Sequence, residues 1–171
     1  MTKDLVILGS GDGAAFVRCA AVFAEMSHVQ RYLGPFGRGS ITRYIANHLV
    51  TIHNVAAAEA IVLGIKAGMD PALVYDTLAD SAGTSRMFQM RDPLVRDENY
   101  DVPTATIRMQ LKDISIIDAF AADLDCALPV YAAASQVYHA GAALGRKEQD
   151  TAAVCAVLET MHGIDRNKSA S

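Results

Sequence analysis

Gly34 to Gly68 reads GPFGRGSITRYIANHLVTIHNVAAAEAIVLGIKAG, and the reading of this stretch decides the fold. Between Ser40 and Ala67 there is no proline and one interior glycine, Gly64, so the run can stay helical for about 40 Å at roughly 1.5 Å per residue. Ser40 is placed to cap the helix through its hydroxyl, and Gly68 to end it. Arg43, Asn47 and Asn54 project onto a narrow sector of one face, because residues four and eleven apart sit close to whole turns. They form a polar stripe. From Val55 to Ile65 the helix is apolar almost all round except at Glu59, the pattern of a helix covered on several sides by other helices or by a second subunit.

Working outward, Leu5–Leu8 is a short apolar run, GSGDG makes a turn, and Ala14–Met26 carries helical periodicity through Phe16, Val17, Ala20, Phe23 and Ala24. Val29–Leu33 then reads as a second strand, completing a small β-α-β unit. After the long helix only helices are expected: Pro71–Asp80, Ser85–Arg91, Thr104–Leu124, Pro129–Leu144 and Asp150–His162, separated by short breakers such as AGMDP and DSAGTS. The string Gly9-Ser-Gly11-Asp-Gly13-Ala14 matches the dinucleotide pattern G-x-G-x-x-G/A between a strand and a helix. Yet no Asp or Glu follows about 20 residues on to hold a ribose, and one β-α-β unit cannot supply both halves of a dinucleotide crevice.

GPFGRGSITRYIAN resembles the catalytic motif of the β-hydroxyacid dehydrogenases, the family of 3-hydroxyisobutyrate and tartronate semialdehyde reductases, in which GxxGxGxxxKxxxN opens the long helix of an all-helical domain. Gly34, Gly37, Gly39 and Asn47 match, while Arg43 stands in place of the lysine. Downstream, AAAEAIVLGIKAGMDP, SAGTS and LKDISIIDAF are similar to the family in order and spacing. The resemblance implies a mainly α fold: an all-helical C-terminal dehydrogenase domain, like that of 6-phosphogluconate dehydrogenase, preceded by a remnant β-α-β unit of a Rossmann domain. Residues 1–34 are then the remnant, 35–164 the helical substrate and dimerisation domain, and 165–171 a disordered tail. In the family, a glycine turn like Gly9–Ala14 belongs to the last part of the nucleotide domain and is not the cofactor loop. The family's own cofactor loop and its substrate-binding DxPVSGG segment are not found, so the chain is expected to be the C-terminal part of such an enzyme.

The family reaction uses NAD or NADP to oxidise a small hydroxy acid or reduce its carbonyl form, and this chain alone is expected to bind the cofactor weakly or not at all. Moving a hydride requires a partner proton transfer at oxygen, which a lysine ammonium with a lowered pKa suits and a guanidinium does not. Arg43 is therefore assigned to orienting a carboxylate or polarising a carbonyl, with Asn47 one turn below it offering an amide N–H to a substrate oxygen. Asn54, Ser81 and Gly83 are candidates for the substrate side. Lys112 and Asp113 match the family's KDLGLAxD segment and, with Gly37 and Gly39, are candidates for the cofactor side. That segment's final aspartate is replaced by Ala119. The other class of reading is a catalytically inactive helical module for dimerisation or partner binding, derived from such an enzyme.

Composition sets bounds. At 171 residues, with 51% hydrophobic and 20% charged residues, the chain suits one globular core. A net charge of −4, with no basic stripe, gives nucleic-acid binding no support. Cys19, Cys126 and Cys155 are widely spaced in apolar helical patterns, as expected of buried free thiols in a reducing compartment. The N-terminal apolar run is too short for a signal peptide, so a cytoplasmic protein is expected. His48 and His53 project to different faces of the long helix, which argues against a metal site.

Overall fold

A computed structural model describes residues 5–166. The chain divides into two compact units, Met1–Asn47 and His48–Ser171. The division falls inside one helix, α3 (Arg38–Lys66).

In the first unit, strands β1 (Leu5–Gly9) and β2 (Ser27–Tyr32) pair in parallel, with Val6 opposite Val29 and Gly9 opposite Tyr32. The helix expected over Ala14–Met26 is two pieces, α1 (Gly13–Arg18) and α2 (Ala20–Met26), hinged at Cys19. Hydrogen bonds still cross the hinge, from Cys19 N–H to Ala15 and from Phe23 N–H to Cys19. Phe16 packs on Phe23 and Tyr32, with ring centroids 5.4 and 5.5 Å apart.

In the second unit, α3 is followed by α4 (Pro71–Ala79), α5 (Arg86–Arg96), α6 (Ile107–Asp123), α7 (Pro129–Ala143), a 3-10 turn (Thr151–Ala153) and α8 (Val154–Met161). Every residue from Val154 to Glu159 is buried, so α8 runs through the core rather than over it. Ile107, Ile114, Tyr131 and Tyr138 on α6 and α7 are likewise essentially inaccessible. Among the described residues, α3 is long and apolar enough to cross a membrane by length and composition. Its buried positions, Thr51, Asn54, Val55, Ala58, Ile61 and Val62, repeat at helical spacing on one face, and Thr51 and Asn54 hydrogen-bond inside the protein core.

Three boundaries differ from the sequence reading for identifiable reasons. Helix α3 begins at Arg38, so Ser40 lies inside it and is not the cap. The hydroxyl that serves the first turn is that of Ser10, which accepts from Gly39 N–H at 3.1 Å. Helix α5 does not stop at Arg91 but continues through Pro93 to Arg96. A proline there cannot donate to the carbonyl of Gln89 four residues back, and the Tyr75 hydroxyl donates to that carbonyl instead at 3.2 Å. The helix expected from Asp150 opens as a 3-10 turn, with the Asp150 carboxylate accepting from Ala152 N–H at 2.9 Å.

Of the other expectations, the helix stop and one of the three cysteines fall as read. Gly68 ends α3 at φ +81°, with Met69 N–H reaching Gly64 and Gly68 N–H reaching Ile65, the paired bonds of a Schellman motif. Cys155 is buried, and burial pushes its thiol up to about 12. Cys19 and Cys126, also expected to be buried, are exposed. Of the expected tail, Asp165 and Arg166 are described, and Arg166 pairs with Glu159 and Glu98 and donates to the Val95 carbonyl at 2.8 Å. Asn167–Ser171 lie outside the described residues.

Gly64 tests the packing of α3 on α4. A Cβ there would stand 2.6 Å from Val74 Cγ2, a buried side chain that is stiff at χ1. Helix propensity alone favours alanine over glycine by about 1 kcal/mol, whereas forcing a methyl into a filled core costs about 1–3 kcal/mol. Gly64→Ala is expected to lower stability in urea denaturation despite its better propensity. A gain would mean that α4 yields without cost.

Candidate functional site

The site is assembled from the glycine turn upward. Gly34 and Gly37 hold φ of +91° and +92°, so the chain reverses through Pro35 and Phe36 in a conformation that side chains disfavour. Gly39 is needed for a different reason: a Cβ there would stand 3.0 Å from the Leu8 carbonyl at the end of β1. The turn thus docks the start of α3 against the strand end. Arg43 and Asn47 follow one turn apart on α3, Arg43 exposed and Asn47 half-buried.

The other glycine turn, Gly9–Ala14, does not fit a dinucleotide pyrophosphate. Asp12 caps α1, its carboxylate accepting from Ala14 and Ala15 N–H at 2.8 and 3.1 Å. These are the amides a phosphate would use, and a carboxylate there also repels one. The glycine surfaces are covered as well, since a Cβ at Gly9 would strike the Phe16 ring at 2.3 Å and one at Gly13 would meet the Tyr32 ring at 3.2 Å.

In the second unit, α3 is tied to α6 and α7 by buried polar contacts. Gln110 donates to the Thr51 hydroxyl at 2.7 Å, Asn54 donates to the Tyr138 hydroxyl at 3.1 Å, and His48 stacks on Tyr131 at 5.0 Å. Burial pushes the Tyr131 phenol up to about 12, a rise reduced by the neighbouring Thr51 hydroxyl and increased by the charges of Asp118 and Asp113. Tyr138 is shifted upward by burial too, with Asn54 and Arg91 opposing. Asn54, placed on the substrate side by sequence reasoning, is therefore buried within this unit. Lys112 is mostly exposed on α6 and pairs with Asp113 at 3.2 Å.

Ser81 and Gly83 shape the turn that leads into α5. The Ser81 hydroxyl donates to the Leu78 carbonyl at 2.8 Å and accepts from Gly83 N–H at 3.1 Å, and Ser85 caps α5 by accepting from Phe88 N–H. The structure brings Arg43 and Asn47 together in the first unit. Asn54, Ser81, Gly83, Lys112 and Asp113 belong to the second. Among the described residues, no group of His, Cys, Asp and Glu is arranged to hold a metal.

Sequence reasoning missed what positions α6, the helix that carries Lys112 and Asp113. Asp150, fully buried, takes an ion pair from Arg91 at 3.0 Å and hydrogen bonds from the Thr104 N–H and hydroxyl at 2.8 and 3.1 Å. Just beyond, Ile107 and Arg108 donate their N–H groups to the carbonyls of Gln149 and Lys147. The signal was faint: an aspartate in the polar breaker GRKEQD, at a helix start, reads as an ordinary cap.

Comparison with known proteins gives a consistent family. A family model described as NAD-binding of NADP-dependent 3-hydroxyisobutyrate dehydrogenase matches residues 37–158. The L-threonate dehydrogenase of Cupriavidus necator is 31% identical over 156 residues, which cover 91% of this chain and 52% of that one. The crystal structure of a 3-hydroxyisobutyrate dehydrogenase from Salmonella typhimurium aligns with a TM-score of 0.82 at 30% identity, over 86% of this chain and 52% of that one. Psf3, solved with NADP+ and 2-OPP, shares the fold with a TM-score of 0.81 at 17% identity, over 91% of this chain and 54% of that one. The chain spans about half the length of the relatives it matches.

Proposed function

The chain belongs to the family described as NAD-binding of NADP-dependent 3-hydroxyisobutyrate dehydrogenase, and on that premise we propose that it is the helical C-terminal part of an NAD(P)-dependent oxidoreductase acting on a small hydroxy acid or its carbonyl form. The observation that carries this reading is the glycine turn, Gly34 to Gly39, docked on β1 and delivering Arg43 and Asn47 on successive turns of α3. A nicotinamide cofactor supplies or receives the hydride when bound. Arg43 presents a fixed positive charge for a substrate carboxylate or a polarised carbonyl, and Asn47 an amide N–H for the adjacent oxygen. Lys112 and Asp113 on α6 serve the cofactor side. The Gly9–Ala14 turn is occupied by its own Asp12, so on this reading that turn does not hold the cofactor's phosphates.

A guanidinium orients but is a poor proton donor, whereas an ammonium on the same helix face can do both. In the protein completed with a nucleotide-binding half, Arg43→Lys is expected to raise turnover, within the about 10²- to 10⁴-fold range of general acid–base catalysis. The measurement is kcat and KM with a panel of small hydroxy acids. A lower kcat/KM for every active substrate would instead mean a site built around the bidentate guanidinium.

The partner proposed alongside is a second copy of this chain. On α3, Leu49, Ala56 and Leu63 are exposed at seven-residue intervals with Ile52 half-buried between them, a seam suited to another helix. Leu63, 72% exposed, is more open than Leu49. Light scattering should give a dimer mass that Leu63→Glu reduces toward the monomer, and a wild-type mass equal to the monomer at all concentrations rules the seam out.

A further inference from the structure

We propose that the pocket lined by Asn54, Ala58, Ile61, Phe88 and Arg91 in the second unit holds one ordered water molecule, bonded to both Asn54 and Arg91. Asn54 is 3% exposed and spends its amide N–H on Tyr138, leaving Oδ1 shut from solvent with no protein partner. Arg91 is 9% exposed, and its Nη1 serves Asp150 and Thr104 while Nε has no protein partner. The two residues that carry this buried acceptor and this buried donor line the same pocket, whose volume is about 20 Å³. A water needs about 10–15 Å³ by this kind of measure and two to four polar partners.

Chemistry selects water over other occupants. A cation would be repelled by the Arg91 guanidinium, and an anion would face the lone pairs of Asn54 Oδ1. A hydroxy acid or a nicotinamide is many times too large for the space. A water donates to Oδ1 and accepts from Nε–H. It serves equally if the amide is turned over, because it then accepts from both Nδ2 and Nε. Of the remaining walls only Tyr75 carries a polar side-chain group, and its hydroxyl already donates to the Gln89 carbonyl at 3.2 Å. Leaving a buried donor and a buried acceptor both unmet is the costly alternative.

The consequence is a continuous polar chain through the core: Tyr138 on α7, Asn54 on α3, the water, Arg91 on α5, then Asp150 and Thr104 at the entrance to α6. Asn54 is thereby a positioning residue for the second unit. The test is a crystal structure at a resolution that shows ordered solvent, expected to place a peak within about 2.7–3.2 Å of Arg91 Nε and of the Asn54 side-chain amide. A dry pocket, or a protein group bonded to either atom, overturns the proposal. A second structure, of Asn54→Leu, should lose the peak while keeping the fold, and a fully occupied peak in that variant would show that Asn54 does not hold it. If that variant does not fold, NMR on the wild type decides: a long-lived water signal at the Arg91 Nε–H is expected, and its absence overturns the assignment.

Discussion

The arrangement of the second unit depends on one buried carboxylate. Asp150 is inaccessible and gathers the Arg91 guanidinium, the Thr104 N–H and hydroxyl, and the N–H of Ala152. An isolated carboxylate in such a place would be strongly penalised by lost hydration, and only this set of donors makes the burial tolerable. Removing one side of a pair like this costs about 3–5 kcal/mol, because the other charge stays buried. The geometric effect matters as much as the energetic one. Asp150 joins α5, the strand-like run before α6 and the entrance to α8, so the course of α6, and with it the place of Lys112 and Asp113, is set from outside the helix itself.

The long helix and the turn that starts it were legible because their determinants are local. Glycines at positive φ, the absence of proline, and the Gly68 stop all act within a few residues of where they appear. The family likeness was legible for the same reason, since it was read from short contiguous strings, most of which lie within the matched residues 37–158. What escaped the reading is non-local. Ser10 serves the first turn of α3 from 29 residues away, Tyr75 satisfies the Gln89 carbonyl that Pro93 leaves open, and Arg91 meets Asp150 across 59 residues. None of these pairs has a spacing that periodicity could reveal. The candidate site was legible as a set of residue types and not as an arrangement: Asn54 shares the helical stripe of Arg43 and Asn47, yet its surroundings are the core of the second unit.

Of two glycine turns with similar lettering, one resembles the family's catalytic motif in sequence and the other fails as a phosphate cradle. Gly9–Ala14 has the dinucleotide spacing, but its exposed amides are capped by its own Asp12 and its glycine faces are covered by Phe16 and Tyr32. Spacing alone does not distinguish a loop that receives an anion from one that has already supplied its own. The residue between the glycines decides it.

The central proposal is that Arg43 and Asn47 serve the substrate side of a dehydrogenase site while the Gly9–Ala14 turn does not hold the cofactor's phosphates. Calorimetric titration of the chain alone with NADH and with NADPH tests it most directly. The account predicts no binding in the micromolar range for either nucleotide, and micromolar affinity for either would contradict it.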